Sequence, residues 1–394
     1  MILSETLYNR MNFDLSWILL GLPLAFVLGW MASSFDLRQL RMENRQAPKA
    51  YFKGLNFLLN EQQDKAIDAF VEAVQSDPDT SELHFALGNL FRRRGEYDRA
   101  VRVHEHLLAR GDLSQAESER AQHALALDFL KAGLLDRAED ALRKLNNTPY
   151  EAQSLLSLLA IYERSRDWEH ASEIAEKLQT AGHGSFSSRQ AHYLCEQASV
   201  KAKLGELGRA KTLLDQAIAT APLAPRPHID LANILKSMGD TLAAYQMLSA
   251  LIVQDSLIVP LIAKQFATLA KECQRTDQAL VLLQTSYKKN ASLDVLDAIV
   301  HLDALTPSGN SARDWYVKHL ENEPSLIAAA QWISGEKLEH EQFHPQVQRA
   351  LDHAVTPLRR YRCAACGFDA VQHYWNCPGC QTWDSYPAKR IEEL

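Results

Sequence analysis

The chain has 394 residues, of which 23% are charged, and its formal net charge is −7 at neutral pH. A mildly acidic chain of this kind does not predict a nucleic-acid partner. Six cysteines are too few for a disulfide scaffold of this length, and the length exceeds one ordinary core, so a repeat array with small modules in a reducing compartment is the simplest expectation.

The first predicted element is a membrane anchor. Residues 15–35 form a run of 21 residues without a charge, LSWILLGLPLAFVLGWMASSF. A helix of that length reaches roughly 30 Å, enough to cross the hydrocarbon of a bilayer. Basic residues are concentrated after the span, over 38–53, which predicts that residues 1–14 lie outside and the rest of the chain lies in the cytoplasm. This flank is on the wrong side for a cleaved signal peptide, so we expect an uncleaved anchor, whether translation begins at Met1 or Met11.

Small residues recur at every fourth position inside this span. They are Gly21, Ala25, Gly29 and Ser33. On a helix they form one smooth stripe, hereafter the partner stripe, which lets another transmembrane helix approach closely. Small residues are also common in membrane helices in general. The stripe suits a different partner and self-association equally well, so a homo-oligomer stays open.

A polar linker over 36–47 leads to a helical repeat that we place at 48–340. In its clearest copy, Gly54 is followed by Phe57, Ala66, Phe70, Ala73 and Pro78. The next copy keeps the phase, with Gly88, Phe91 and Ala100 each 34 residues on. The alanine expected at the helix crossing then recurs at Ala138, Ala171, Ala210, Ala244 and Ala279. This period resembles the tetratricopeptide repeat and predicts an all-α superhelical solenoid of about eight or nine repeats, the last of them degenerate.

Glycines mark predicted turns inside three of the repeats. Gly95, Gly205 and Gly239 each stand between two amphipathic segments, where a turn between the helices of one repeat is expected. Arrays of this kind bind extended peptides or helices on a concave surface. No nucleophile with a base and an orienting group emerges from this region, so we predict no catalytic residues and a protein that is not an enzyme.

One motif suggests a metalloprotease and is rejected. Residues 340–344 spell H-E-x-x-H, which on a helix would place His340 and His344 on one face to bind zinc, with Glu341 as the base. Pro345 follows at once and disfavours helical geometry at His344. No convincing third ligand follows either. We therefore assign 341–358 to a connector.

The clearest chemical signal lies in a predicted module at 359–388, followed by a tail at 389–394. Cys363 and Cys366 form one C-x2-C pair and Cys377 and Cys380 form a second. Two such turns place four thiolates around one metal ion in a tetrahedral shell. All four positions are filled by protein, so a structural ion is favoured. Zinc is preferred, and iron stays open because tetrahedral thiolates accept both metals.

We expect the aromatic residues of the module to form a miniature core, and the module to dock on the last repeats. These aromatic residues are Tyr361, Phe368, Tyr374, Trp375, Trp383 and Tyr386. About 30 residues bury little apolar surface by themselves, so the metal should supply folding energy. We expect the basic residues that flank the module to balance the negative charge of a four-thiolate site. They are Arg359, Arg360, Arg362, Lys389 and Arg390.

In this order, the three parts resemble the lipopolysaccharide assembly protein B family of Gram-negative bacteria. The resemblance covers essentially the whole chain and rests on Gly29-Trp30-Met31 at the anchor, the repeats, and the tail sequences YRCAACGF and YWNCPGC that carry the four cysteines. It implies a rubredoxin-like or zinc-ribbon module with Cys363, Cys366, Cys377 and Cys380 as metal ligands. Gln381 stands where a rubredoxin has glycine, which counts against electron transfer more than against metal binding.

The resemblance also implies a role. Such proteins are single-pass proteins of the bacterial inner membrane, with residues corresponding to 1–14 in the periplasm, and they restrain lipopolysaccharide synthesis. They promote degradation of the lipid A deacetylase of the committed step by a membrane AAA+ protease. An opposing inner-membrane regulator contacts the anchor, and other lipopolysaccharide-synthesis enzymes are further partners. The alternative function is a rubredoxin-like redox or electron-transfer protein.

Overall fold

The computed structural model describes residues 26–31, 51–305, 312–335 and 344–394. Of the predicted anchor, only 26–31 fall within this set, and they are helical and exposed. Residues 1–14 and the linker 36–47 lie outside it. Among the described residues, no helix is both long enough and apolar enough to span a bilayer.

Three residues of the partner stripe, Gly21, Ala25 and Ser33, also lie outside the described residues. Gly29 lies inside them, and no atom lies within 4 Å of the position that a Cβ on this residue would take. The proposed packing of this stripe against another helix therefore stays a prediction.

The chain divides into two compact units, Met1–Ser157 and Leu158–Leu394. The described helices of unit 1 are α1 at 51–59, α2 (Gln63–Ser76), α3 (Ser81–Arg94), α4 (Tyr97–Leu108), α5 (Gln115–Ala132) and α6 (Leu135–Arg143). The division falls within α7 (Glu151–Ser165). Helices α2 to α6 pack each on the next, and α3 also packs on α5.

Unit 2 is likewise built of helices that pack in sequence order. Its further helices are α8 (Trp168–Thr180), α9 (Ser187–Lys203), α10 (Leu207–Thr220), α11 (Pro225–Ser237), α12 (Thr241–Gln254), α13 (Val259–Glu272), α14 (Thr276–Lys289), α15 (Leu293–Asp303), α16 (Ala312–Asn322), α17 (Leu326–Ser334) and α18 (His344–Val355). Each packs on the next, and first helices of successive pairs touch, as α9 with α11 and α13 with α15. This stacking of helix pairs confirms the predicted tetratricopeptide-type fold.

The predicted crossing alanines explain why these helices pair. All seven are 0% exposed, one in the second helix of each pair: Ala66, Ala100, Ala138, Ala171, Ala210, Ala244 and Ala279. Twelve residues earlier, the first helix also carries a buried residue, which is Gly54 and Gly88 in the first two pairs. A Cβ on Gly54 would meet the ring of Phe70 at 2.8 Å, and one on Gly88 would meet the ring of His104 at 2.5 Å. The small residues therefore set how closely the helices approach.

The predicted turns are confirmed as well. Gly95, Gly205 and Gly239 have φ values of 84°, 80° and 90°. This left-handed backbone, which glycine adopts without a steric penalty, ends α3 and connects the two helices of the later pairs.

The segment 341–358, which the sequence predicts to be a connector, contains the helix α18. Pro345 is its second residue, and proline is favourable in the first turn of a helix because its missing N–H would have no partner there. Pro345, which argues against the zinc-protease motif, therefore lies in the first turn of α18. His340 and Glu341 lie outside the described residues. Nε2 of His344 lies 3.2 Å from the carbonyl oxygen of Ile333.

Candidate metal centre

The carboxyl-terminal module is built on a short antiparallel pair of strands. Strand β1 (Tyr361–Arg362) pairs with β2 (Asp369–Ala370), with Tyr361 opposite Ala370. An isolated antiparallel bridge joins Asn376 to Trp383. Each of these pairings closes a loop that carries one C-x2-C pair, so the backbone brings both pairs to one end of the module.

The first cysteine loop is closed by two backbone hydrogen bonds. The N–H of Cys363 donates to the carbonyl of Phe368 at 3.0 Å, and the N–H of Gly367 donates to the carbonyl of Cys363 at 2.9 Å. Gly367 has φ 77°, which a glycine adopts at no steric cost. The chain thereby turns back directly after Cys366.

The second loop repeats this geometry without the glycine. The N–H of Cys377 donates to the carbonyl of Thr382 at 3.0 Å, and that of Gln381 donates to the carbonyl of Cys377 at 2.8 Å. Gln381 has φ 60°, a left-handed conformation that costs a residue with a Cβ about 1–2 kcal/mol. The departure from the rubredoxin pattern noted in the sequence is therefore accommodated as backbone strain, with the loop intact.

The structure brings the four predicted ligands together. The Sγ atoms of Cys363 and Cys380 are 3.8 Å apart, those of Cys366 and Cys377 are 3.7 Å apart, and all four lie within 4.8 Å of one another. Four thiolates about 2.3 Å from a zinc ion form a tetrahedron with edges of about 3.8 Å. The four cysteines can therefore bind one metal ion.

Neighbouring groups shift the pKa values of three cysteines of the cluster. Burial opposes ionisation of Cys363, but the nearby Ser385 hydroxyl, 3.3 Å from its Sγ, and backbone N–H groups outweigh it and lower its pKa to about 6. The side chain and backbone N–H of Thr382 lower the pKa of Cys380. The N–H of Phe368 favours ionisation of Cys366, yet desolvation and the other three cysteines raise its pKa to about 12. Four thiolates in one cluster thus need a cation to neutralise them.

The module docks on the repeats of unit 2 through a stacked histidine. His192 of α9 is 3% exposed, and its Nε2 lies 2.9 Å from both carboxylate oxygens of Asp384. Its ring stacks on Trp383 with centroids 4.7 Å apart, and the indole Nε1 of Trp383 donates to Glu163 at 3.0 Å. The sequence predicts docking on the last repeats. The contact reaches α7 and α9 in addition, and no local pattern in the sequence indicates this.

A buried arginine orients the same histidine. Arg226 of α11 donates from a guanidinium nitrogen to Nδ1 of His192 at 3.3 Å, and it pairs with Glu196 at 2.6 Å and with Asp230 at 3.3 Å. A guanidinium can only donate, so Nδ1 accepts and the proton on Nε2 faces Asp384. Burial raises the pKa of Asp384, but its hydrogen bond to His192 and the charge of Arg226 outweigh this and lower it overall.

The tail is held by an arginine clamp. Arg390 donates to both carboxylate oxygens of Asp294, at 2.8 and 3.0 Å, and to the carbonyl of Arg359 at 2.7 Å. Its guanidinium lies 4.2 Å from the ring centroid of Tyr361. Arg362 pairs with Asp369. These two arginines therefore pair with carboxylates, in place of the predicted role in balancing the charge of the metal site.

Two glutamates after the clamp cap helices of the repeats. The carboxylate of Glu392 accepts from the N–H of Leu326 at 2.6 Å and from the hydroxyl of Ser325 at 2.7 Å, at the start of α17. That of Glu393 accepts from the N–H of Leu293 at 2.6 Å, at the start of α15. Negative charge is favourable at helix N-termini. The last residues are thus part of the fold of unit 2.

The aromatic residues expected to form a miniature core serve two purposes. Tyr361 and Tyr386 are buried in the module with Cys363 and Cys377. Trp375 and Trp383 lie against His192 of the repeats, and Phe368 is 43% exposed. The prediction holds for the tyrosines, and the tryptophans form the docking surface.

Two family models match parts of the chain. A model described as a rubredoxin metal-binding domain matches residues 361–386. A tetratricopeptide repeat model matches residues 83–116. A solved tetratricopeptide repeat protein from Parabacteroides merdae covers 66% of this chain and 98% of its own, with 13% identity and a TM-score of 0.34.

Curated relatives match over nearly the full length. Lipopolysaccharide assembly protein B of Escherichia coli K12 is 30% identical over 388 residues, which span 96% of this chain and 100% of the relative. The protein of the same name from Haemophilus influenzae is 26% identical over 93% of this chain and 96% of its own. The similarity therefore extends over nearly the whole chain and is not confined to the repeats or to the metal module.

Proposed function

The chain belongs to the lipopolysaccharide assembly protein B family, and from this membership we propose that it is a non-catalytic scaffold and adaptor that regulates lipopolysaccharide synthesis. The observation that carries the proposal is the 30% identity over 100% of the Escherichia coli relative. The repeats alone would not indicate which partner the chain binds. The stacked helix pairs supply a partner-binding surface. The metal module is attached to the helices of unit 2.

The proposed mechanism is proximity. The anchor at 15–35 holds the protein in the bacterial inner membrane, single-pass, with 1–14 in the periplasm and the repeats in the cytoplasm. There it meets a membrane AAA+ protease, while the repeats and the module hold the lipid A deacetylase. When one scaffold holds two partners through a short linker, the effective concentration of one partner for the other reaches about the millimolar range. The avidity can then exceed either single affinity by a factor of about 10²–10⁴. Degradation of the deacetylase follows.

Two further partners complete the proposal. An opposing inner-membrane regulator contacts the anchor, for which the partner stripe Gly21, Ala25, Gly29 and Ser33 supplies a close-packing face. Other lipopolysaccharide-synthesis enzymes gather on the same scaffold. The stripe suits self-association as well, so a homo-oligomer is an alternative use of the same face.

For the metal we propose one structural zinc ion held by Cys363, Cys366, Cys377 and Cys380. Zinc in such a closed site contributes folding free energy and offers no open position for a substrate. The spacing of the four sulfurs supports a structural ion. Several module residues also bind the repeats, and their positions depend on the cysteine loops being closed.

Affinity capture of the full-length protein from its own membranes tests the proposal. The matched control carries an unrelated transmembrane helix in place of 15–35, and metal analysis is run on the same eluate. We expect the protease and lipid A enzymes with the native protein, with some of them lost in the control, and one zinc per chain. An eluate with neither enzyme and with reversibly redox-active iron would overturn the scaffold and favour electron transfer.

A further inference from the structure

A pocket of about 470 Å³ lies in unit 2, where α13, α15 and α17 meet the segment after α18 and the tail. Its floor is apolar and made of buried residues: Ala267, Leu293, Ala298 and Ile327. Two of these four are alanines, and their short side chains leave room above them. The floor is therefore shaped for an aliphatic side chain supplied by a ligand.

Two cations on the rim form no close ion pair, although the charge of one of them, Arg359, acts on Asp297 in the same pocket. Lys264 projects from α13 and Arg359 from the segment after α18, and both are exposed. Neither forms an ion pair with any residue that the structure describes. Arg390 on the same rim differs, because its donors are taken by Asp294 and by the carbonyl of Arg359. Lys264 and Arg359 are thus available to a negatively charged group.

The remaining polar groups suit a peptide backbone. Asp297 accepts the hydroxyl of Tyr316 on Oδ1 at 2.8 Å, which leaves its second oxygen to accept an amide N–H. Thr268 and His301 add a hydroxyl and an imidazole at the exposed side. A polyphosphate or nucleic acid would bring several negative charges close to Asp294 and Asp297, which repel them, whereas a single carboxylate brings one. One carboxylate beside amide groups fits the pocket better.

We infer that this pocket binds an extended peptide segment in which an aliphatic side chain adjoins a carboxylate. The aliphatic group packs on Ala267 and Ala298, the carboxylate lies between Lys264 and Arg359, and the peptide N–H groups donate to Asp297. This inference deepens the proposed scaffold role and rests on it, because it names the chemistry by which the scaffold recognises a partner. The carboxylate comes from an acidic side chain or from a chain terminus.

Selection from a peptide library decides between these sources. The full chain, immobilised in detergent, is incubated with hexapeptides randomised at every position, half with a free carboxyl terminus and half amidated. The inference predicts enrichment of leucine, isoleucine or valine next to aspartate or glutamate, or next to a free terminus in the first half only. Enrichment without any carboxylate preference would overturn it, and so would no enrichment.

The enriched peptide is then synthesised with a fluorescent label and titrated by anisotropy. We expect Lys264→Glu to weaken its binding at least tenfold, and Thr268→Trp to weaken it by filling the pocket. Lys203→Glu, an exposed lysine at the end of α9, is the matched charge control and should bind as the parent does. Equal affinity of Lys264→Glu and the parent protein would place the peptide elsewhere.

The same variants separate this inference from the proposed function. If Lys264→Glu loses the peptide and also loses a captured enzyme, the pocket is the recognition site. If the library shows no carboxylate preference while the parent protein still captures the enzymes, the pocket inference fails and the scaffold stands. Capture of no enzyme by the parent, with the peptide bound as expected, would instead count against the scaffold.

Discussion

At the scale of single residues, the fold depends on glycines that leave room for a neighbouring side chain. Gly88 on α3 faces His104 on α4, and this histidine is 0% exposed. Nδ1 of His104 lies 2.5 Å from Asp128 of α5, which also pairs with Arg92 of α3 at 2.8 Å. One buried carboxylate thus ties three helices of unit 1, and the ring that reaches it needs the space above Gly88.

We therefore expect Gly88→Ala to destabilise the protein. The new Cβ would lie 2.5 Å from two ring atoms of His104, and the ring cannot move without breaking its bond to Asp128. Overpacking of this kind costs about 1–3 kcal/mol, against which alanine regains up to about 1 kcal/mol of helix propensity. Gly111→Ala is the control, since nothing lies within 4 Å of its Cβ position. The urea midpoint of each variant is measured by circular dichroism and compared with that of the parent protein. A midpoint of Gly88→Ala equal to that of the parent would contradict the expectation.

The residues that could be predicted are those whose role repeats along the chain or depends on close sequence neighbours. Alanines such as Ala171 recur at the repeat period, and each C-x2-C pair lies within four residues. The docking residues have no such pattern, because His192 and Asp384 are 192 residues apart and meet only once the repeats have stacked. The capping role of Glu392 likewise could not be predicted, because its contact with the start of α17 forms only in the folded chain.

At the scale of elements, the start of α5 carries a pH-dependent cap. Ser114 and Glu117 form a reciprocal capping box, and the hydroxyl of Ser81 on α3 donates to the same carboxylate. The hydrogen bonds from Ser81 and then Ser114 lower the pKa of Glu117 from 4.5 to about 2. The cap therefore needs the ionised carboxylate.

The contribution of this cap to stability should depend on pH. Because the pKa of Glu117 is lower in the folded protein, its ionised form stabilises the protein above pH 4.5, and this contribution is lost as the pH falls towards about 2. We expect the difference in unfolding free energy between the parent protein and Glu117→Gln to be constant above that pH and to shrink below it. Denaturant unfolding from about pH 6 to about pH 3 tests this, and a constant difference throughout would contradict it.

The cap on α17 is supplied by the far end of the chain. Because the carboxylate of Glu392 accepts the N–H of Leu326 at 2.6 Å and that of Ile327 at 3.2 Å, Glu392→Ala should destabilise this end of the helix by about 1 kcal/mol. Hydrogen exchange of these two amides should become faster. Glu321→Ala, at an exposed position on α16, is the control. Unchanged exchange in Glu392→Ala would show that the cap contributes nothing.

At the scale of the whole molecule, the metal module fastens distant helices of unit 2 to one another. Asp384 binds His192 of α9, while Arg390 binds Asp294 of α15. The module has two short strands and a small core, so a bound metal has to supply its folding energy, about 10–16 kcal/mol for structural zinc. Loss of the metal should therefore release both attachments together.

The most direct test of the scaffold account is the half-life of the lipid A deacetylase in cells that express Cys363→Ser or Cys377→Ser as the sole copy. Both cysteines are buried, at 1% and 0% exposed, and losing either thiolate should abolish metal binding and unfold the module. Cys273→Ser, which changes a cysteine outside the cluster, is the matched control. We predict a lengthened deacetylase half-life in the first two variants and the parent value in the control. A normal half-life in a variant shown to lack metal would contradict the account.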